Sequence, residues 1–161
     1  RYDLLIEAAK TLPETEVIIV GGETDAYHTR MLQQLGAKNV RFIDFMSYEA
    51  LCRYYRGADV FVMPSDSDVW GMVIVEAMAN GLPVIATESC GAASDLIRNG
   101  ENGFIVPKGD KTKIYERLSF LLSSDEVRAQ YGRNSLSFIR EYTIENEVQD
   151  HIQAMDQFIF R

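Results

Sequence analysis

Two acids, Asp68 and Glu76, stand on either side of Gly71 in the stretch VFVMPSDSDVWGMVIVEAMANGLPVIAT, residues 60–87. Seven residues separate them, which places Asp68 in a polar loop and Glu76 about a turn inside the helix that follows. Helical side chains lean toward the helix N-terminus, so Glu76 leans back toward the loop that carries Asp68. A helix entrance also presents backbone N–H groups without intrahelical partners, and these attract anions. Two carboxylates beside a row of amide donors can therefore take a phosphate on the amides and hydroxyls on the acids. A phosphate together with several hydroxyls describes a sugar nucleotide. Taken singly, each acid also fits a solvated helix face or a loop cap.

The elements that must position these groups are legible around them. Residues 60–63 form a short apolar β-branched run of buried-strand character. Pro64 ends it, because proline has no N–H for a central ladder. Residues 72–80 are good helix formers, stopped by Gly81 and Pro83, and residues 84–86 predict a second buried strand. Upstream, Leu4, Leu5, Ala8, Ala9 and Leu12 recur at helix spacing until Pro13. Strands are predicted at 17–20 and 40–45, helices at 27–35 and 48–56. Downstream, a helix is predicted near 94–98 and a last strand at 104–106. Asp125 and Thr143 are expected to cap two C-terminal helices. The second carries a stripe of Ile144, Val148, Ile152, Met155 and Ile159, which must pack on this domain or on a partner domain.

Short strands alternating with helices predict an α/β fold with a doubly wound, Rossmann-like parallel sheet and helices on both faces. Ligands of such sheets bind outside the carboxyl ends of the strands. The loops at Gly21–Gly22, 44–47, 65–71 and 88–92 all follow strands and share that edge. A Gly-Gly pair is by itself as consistent with a tight turn as with a phosphate loop. The Tyr54–Tyr55 pair is expected in the core.

Pro64-Ser65, Asp68, Gly71, Glu76-Ala77-Met78-Ala79, Gly81 and Pro83-Val84-Ile85-Ala86 resemble the signature of retaining GT-B glycosyltransferases of the large group 1 (GT4-like) family. Asp68 stands where that signature has Glu, and Trp70 where it has Phe. Val20-Gly21-Gly22 is similar to the family's V-G-x-G turn with Glu23 in place of the second glycine. Asp44 similarly replaces the glycine of an F-x-G turn. The resemblance implies that residues 1–161 are a single C-terminal nucleotide-sugar-binding domain, one half of a GT-B fold. An acceptor domain, the first strand and a basic Arg/Lys pair are then expected upstream of Arg1. The absent strand would lie between those at Val17 and Val60.

By position, the resemblance makes Glu76 the acceptor of ribose hydroxyls and Asp68 the holder of hydroxyls on the transferred sugar, the two expected catalytic residues. Gly21, Gly22, Ser65 and the backbone at Trp70, Gly71, Met72 and Val73 would face the donor, with Phe45 and Met46 beside the base. The implied activity is transfer of a sugar from a nucleoside-diphosphate sugar to an acceptor hydroxyl, with the excised domain inactive alone. No cofactor or essential metal is expected. The implied location is cytoplasmic, with peripheral association at the cytoplasmic face of a membrane through the acceptor domain. Two other classes stay open: a sugar-nucleotide epimerase of GT-B architecture, and a non-catalytic nucleotide-sugar-binding module.

Composition bounds the rest. The 161 residues suffice for one domain with a real core. A formal charge of −8, from 16 basic and 24 acidic residues, argues against a nucleic-acid partner, which calls for a basic stripe. Anionic ligands must then meet local amides and a few chosen cations. Cys52 and Cys90 lack metal or redox spacing, and neither His28 nor His151 has a companion ligand nearby in sequence.

Overall fold

A computed structural model describes residues 1–12, 14–21 and 25–159 of the chain. Helices and strands alternate as α1 (Tyr2–Ala9), β1 (Val17–Val20), α2 (Ala26–Leu35), β2 (Val40–Ile43), α3 (Tyr48–Gly57), β3 (Phe61–Met63), α4 (Met72–Ala79), β4 (Val84–Thr87), α5 (Gly91–Leu96) and β5 (Gly103–Val106). Three helices follow: α6 (Lys111–Leu122), α7 (Asp125–Ile139) and α8 (Ile144–Ile159).

All pairings are parallel, as predicted, and the strands form two sheets, with the break between β1 and β3, the strands expected at Val17 and Val60. One joins β1 to β2, from Val17 opposite Val40 to Val20 opposite Ile43. The other has the order β3-β4-β5. A sheet is continuous only where neighbouring backbones hydrogen-bond, and among the described residues β1 and β3 do not pair with each other. That separation agrees with the expectation of an intervening strand position.

The three-stranded sheet carries the core. Strand side chains alternate between faces, and β4 is buried on both. Val84 and Ala86 point into a cluster with Ile74, Ala77 and Met78 of α4, Ala92, Ala93 and Leu96 of α5, and Ile139 of α7. Ile85 points the other way, with Phe104 and Val106 of β5, into Leu4 and Ala8 of α1 and Ile114, Leu118 and Leu121 of α6. Each fully buried Ile, Leu or Met here stabilises the fold by roughly 1.5–3 kcal/mol through removal of apolar surface from water. Tyr55 of α3 joins the first cluster, as expected, with its ring edge-on to Phe61 at 6.0 Å.

Several boundaries differ from the predicted ones. Strand β2 ends at Ile43, two residues early, where the Ile43 carbonyl accepts from Gly21 N in the last rung to β1. Helix α5 starts at Gly91, not Ser94. It ends at Leu96 because the buried Asn102 side chain donates to the Leu96 carbonyl and accepts from Arg98 N, at 3.0 and 2.8 Å. Asp125 does not cap α7. It is the first helical residue and pairs with Arg128, while Ser124 Oγ accepts from Val127 N at 3.3 Å. A serine in extended backbone aims its short hydroxyl back at the third amide, which makes it the better cap. Thr143 does cap α8, accepting from Asn146 N at 3.2 Å. Pro13, expected to break α1, lies outside the described residues.

The stripe on α8 remains largely uncovered: Ile144, Val148, Ile152 and Met155 are exposed. With Trp70, Met72 and Val75 they line an open apolar groove of about 580 Å³. The side chain of Ile159 lies outside the described residues. No helix of the described residues is long and apolar enough to cross a membrane.

The cap assignment is directly testable by urea unfolding. Ser124→Ala is expected to lower stability by about 1 kcal/mol. Asp125→Asn leaves the cap intact and loses a pair whose acid is exposed, while the largely buried Arg128 keeps Asp59 and the Leu121 carbonyl, so it is expected to cost less.

Candidate functional site

The chain leaves β3 at Met63 and enters α4 at Met72, and the loop between is tied to the neighbouring connection after β4 at every turn. The Ser65 carbonyl accepts from Thr87 Oγ1 at 2.6 Å and from Ser89 Oγ at 2.7 Å. Asp68 N donates to the Ser89 carbonyl at 3.1 Å, Gly91 N to the Asp68 carbonyl at 3.1 Å, and Ala92 N to the Trp70 carbonyl at 2.6 Å. Together these make a short parallel bridge of Asp68 with Cys90 beyond the end of the sheet. Contact is so close that a Cβ on Gly91 would lie 2.2 Å from the Val69 carbonyl oxygen, a distance no side chain tolerates. The need for glycine at 91 is thus a consequence of packing, not of turn conformation. Arg1 adds a further tie, donating from Nη1 to both Asp66 oxygens at 3.2 Å.

Gly71 then turns the chain into α4 with φ +95°, the left-handed region open to glycine. No side chain caps this helix. Among the described residues no acceptor meets the amides of Gly71, Met72 and Val73. These three amides are the unpaired donors that a helix entrance leaves. The fourth expected donor, Trp70 N, is engaged within the loop, donating to Asp68 Oδ1 at 3.0 Å. Asp68 therefore shapes the turn with one oxygen while its side chain stays half-exposed. Trp70, Met72 and Val73 form an exposed apolar lip beside the helix entrance.

Glu76 lies one turn inside α4, partly buried, and its Oε2 accepts from the Tyr55 hydroxyl at 2.9 Å. Burial pushes the Tyr55 phenol well above its ordinary value of about 10, and the bond to Glu76 and that carboxylate's charge push it further. Tyr48, on the same face of α3 as Cys52 and Tyr55, is also raised, first by the neighbouring Cys52 and least by the Glu76 charge. The exposed Tyr48 is thus within electrostatic reach of Glu76. The polar end of Tyr55 is what sequence reasoning missed. An apolar environment predicts a core ring correctly, but nothing in the spacing shows where its hydroxyl points.

The remaining predicted residues lie at the ends of the other strands. Gly21 follows β1, and a Cβ there would sit 3.9 Å from Phe45 Cζ, so the loops after β1 and β2 meet at this point. Phe45 is otherwise exposed and Met46 half-buried. Gly22 lies outside the described residues. Ser65 contributes its carbonyl to the loop tie described above.

A parallel α/β fold with helix-entry loops gathered at the carboxyl ends of its strands defines the chain as a GT-B-type α/β domain. The sequence matches the family described as glycosyl transferases group 1 over residues 1–138, and the chain belongs to that family. It is 31% identical over 152 residues to a D-inositol 3-phosphate glycosyltransferase of Corynebacterium efficiens, covering 87% of this chain and 36% of that protein. The chain thus spans about a third of the length of that relative. Among solved structures it is similar to the C-terminal domain of a group 1 glycosyl transferase from Francisella tularensis, with a TM-score of 0.75 and 26% identity over 88% of this chain and 79% of that one. It also shares the fold of an Anabaena protein solved in complex with UDP-glucose, with a TM-score of 0.79 and 23% identity over 96% of this chain and 45% of that one.

The environment of Tyr55 has a measurable consequence at high pH. A phenol held neutral in the folded state, and ionising near 10 when unfolded, contributes stability that is fully present below about pH 10 and is lost as pH rises toward its folded value. Urea unfolding between pH 8 and pH 11 should therefore show a steeper loss above pH 10 in the wild type than in Tyr55→Phe. Tyr2, Tyr48 and Tyr131 are also raised and contribute a background common to both proteins.

Proposed function

We propose that this chain is the donor-binding part of a retaining glycosyltransferase, moving a sugar from a nucleoside-diphosphate sugar to an acceptor hydroxyl. One observation carries the proposal: the entrance of α4 presents three unpartnered amides and the same helix carries Glu76 one turn further on, within the family's signature segment. The amides of Gly71, Met72 and Val73 meet a phosphate or sugar oxygen, where fixed donors stabilise the charge of a departing diphosphate. Glu76 accepts from the ribose hydroxyls. Asp68, with one oxygen engaged by Trp70 N, keeps its other oxygen for hydroxyls of the transferred sugar. Gly21, Phe45 and Met46 border the base, and Ser65 holds the loop.

Support for a nucleotide sugar comes from the Anabaena protein of the same fold, whose complex contains UDP-glucose. Support for a separate donor unit comes from the Francisella C-terminal domain, most of whose length is matched. The acceptor then binds on a further domain of a longer protein, and residues 1–161 alone bind donor without completing transfer. The proposal includes no cofactor and no resident metal. The reaction is placed in the cytoplasm, at a membrane face where the acceptor is a lipid.

One observation favours a second reading, a binding module without catalysis: the Asp68 carboxylate serves as a local cap for Trp70 N. Calorimetric titration of the intact protein with UDP-, GDP- and ADP-sugars tests both, and absence of binding by all three would overturn both.

Glu76→Gln is expected to weaken binding of the matching nucleoside diphosphate about tenfold or more, since charge-assisted hydrogen bonds contribute roughly 1.5–3 kcal/mol each. Unchanged affinity would remove the ribose role. Asp68→Asn keeps the size of the side chain and removes its charge. It is expected to lower kcat by at least tenfold while changing free-diphosphate affinity by less than about threefold, because an interaction strengthened in the transition state appears in turnover. Unchanged turnover would favour the binding module.

A further inference from the structure

Helix α3 presents Tyr48, Cys52 and Tyr55 along one face, at the four- and three-residue spacings that align side chains on a helix. Tyr55 is the one that reaches the interior: it is 7% exposed, packs in the cluster with Met63 and Ile74, and meets Phe61 edge-on. A phenylalanine would fill that space equally well. The hydroxyl is therefore an addition that packing does not require, and a buried hydroxyl must find a partner. Its partner is the Glu76 carboxylate, on a different helix and 21 residues away in sequence.

From this geometry we propose that Tyr55 is a positioning residue, which holds the Glu76 carboxylate in the orientation that receives the ribose hydroxyls. The inference rests on the ribose role of Glu76 proposed above.

The chemistry of the pair fits that role. The phenol donates to Oε2 and so leaves the carboxylate charged. A carboxylate has about four acceptor sites, and the phenol occupies one. Among the described residues no other hydrogen bond or ion pair engages the Glu76 side chain, so Oε1 remains open for a ligand donor. A free glutamate has three side-chain torsions to order on binding, at an entropic cost that prior anchoring removes. The anchor is itself rigid, because the Tyr55 ring is clamped in the core. A phenol is protonated across the neutral range, and burial raises this one further, so it remains a donor there. The structural alternative is that Glu76 merely satisfies a buried hydroxyl.

These two roles separate in a binding experiment on the intact protein. UDP, GDP and ADP are titrated beside their 2′,3′-dideoxy counterparts into wild type, Tyr55→Phe, Glu76→Gln and the double variant. Tyr55→Phe is expected to weaken the matching ribonucleoside diphosphate by roughly three- to tenfold, the loss of one modest hydrogen bond's worth of organisation. It should leave the dideoxy compound unchanged, and should raise donor KM more than it lowers kcat. Adding Tyr55→Phe to Glu76→Gln should cost nothing further, because Tyr55 acts through the carboxylate. Equal weakening of ribo and dideoxy compounds, or an additive loss in the double variant, overturns the inference. If Glu76→Gln weakens binding and Tyr55→Phe does not, the ribose role stands and the inference fails. If Glu76→Gln leaves ribonucleotide binding unchanged, the ribose role fails first. Should Tyr55→Phe destabilise the fold, the ratio of its ribo to its dideoxy affinity decides, because a smaller folded fraction weakens both compounds equally: a ratio reduced from that of the wild type supports the inference, and a ratio equal to it overturns the inference. Equal wild-type affinity for both compounds, or binding of none of the three diphosphates, overturns the inference together with the reading beneath it.

Discussion

The tie between the loop after β3 and the loop after β4 is the constraint on which the site depends. The Ser65 carbonyl takes two hydroxyls, from Thr87 and Ser89, and three backbone hydrogen bonds then carry the connection from Asp68 to Trp70. A loop that leaves a strand at a proline has no ladder to follow, and loops of this length ordinarily sample many conformations. Here hydrogen bonds beyond the sheet's end replace the ladder. Gly71 is consequently delivered at one place and in one conformation, and α4 starts with its amides uncovered. Preorganisation of this kind matters because donors that are already fixed need not be reordered as charge develops.

That tie stands on the burial of β4. Its four residues are covered on both faces, by α4, α5 and α7 on one side and by α1 and α6 on the other. Thr87 is the hinge between the two regimes. It is the last residue of the strand, fully buried, and its hydroxyl is the first group to reach across to the site loop. Apolar packing therefore sets where the strand ends, and the hydrogen bonds at that end set where the site begins. The same division holds on α3, whose core side buries the Tyr55 ring while the hydroxyl of that ring leaves the apolar cluster for Glu76.

Much of this was legible in residue order alone. The alternation of β-branched runs with helix formers determined the element sequence and the parallel class, because strand and helix periods are local properties of the chain. Pro64 and Gly71 marked the entrance and exit of the site loop, because their backbone limits are intrinsic. Thr143 declared its cap for the same reason. The signature around Glu76 identified the segment and with it the family. Local signals erred where two neighbours compete for one role, as Ser124 displaced Asp125 at the start of α7.

Tertiary structure decided the rest. The requirement for glycine at 91 arises from the Val69 carbonyl, on a loop that packing brings alongside. The engagement of Trp70 N by Asp68 depends on the shape the loop takes once it is tied down. Sequence by itself determined the alternating elements, the family and the two acids, since each is written in short-range spacing. Only the fold could aim the Tyr55 hydroxyl at Glu76 and pin Asp68 beside Ser89, since both result from packing between segments that sequence order keeps apart.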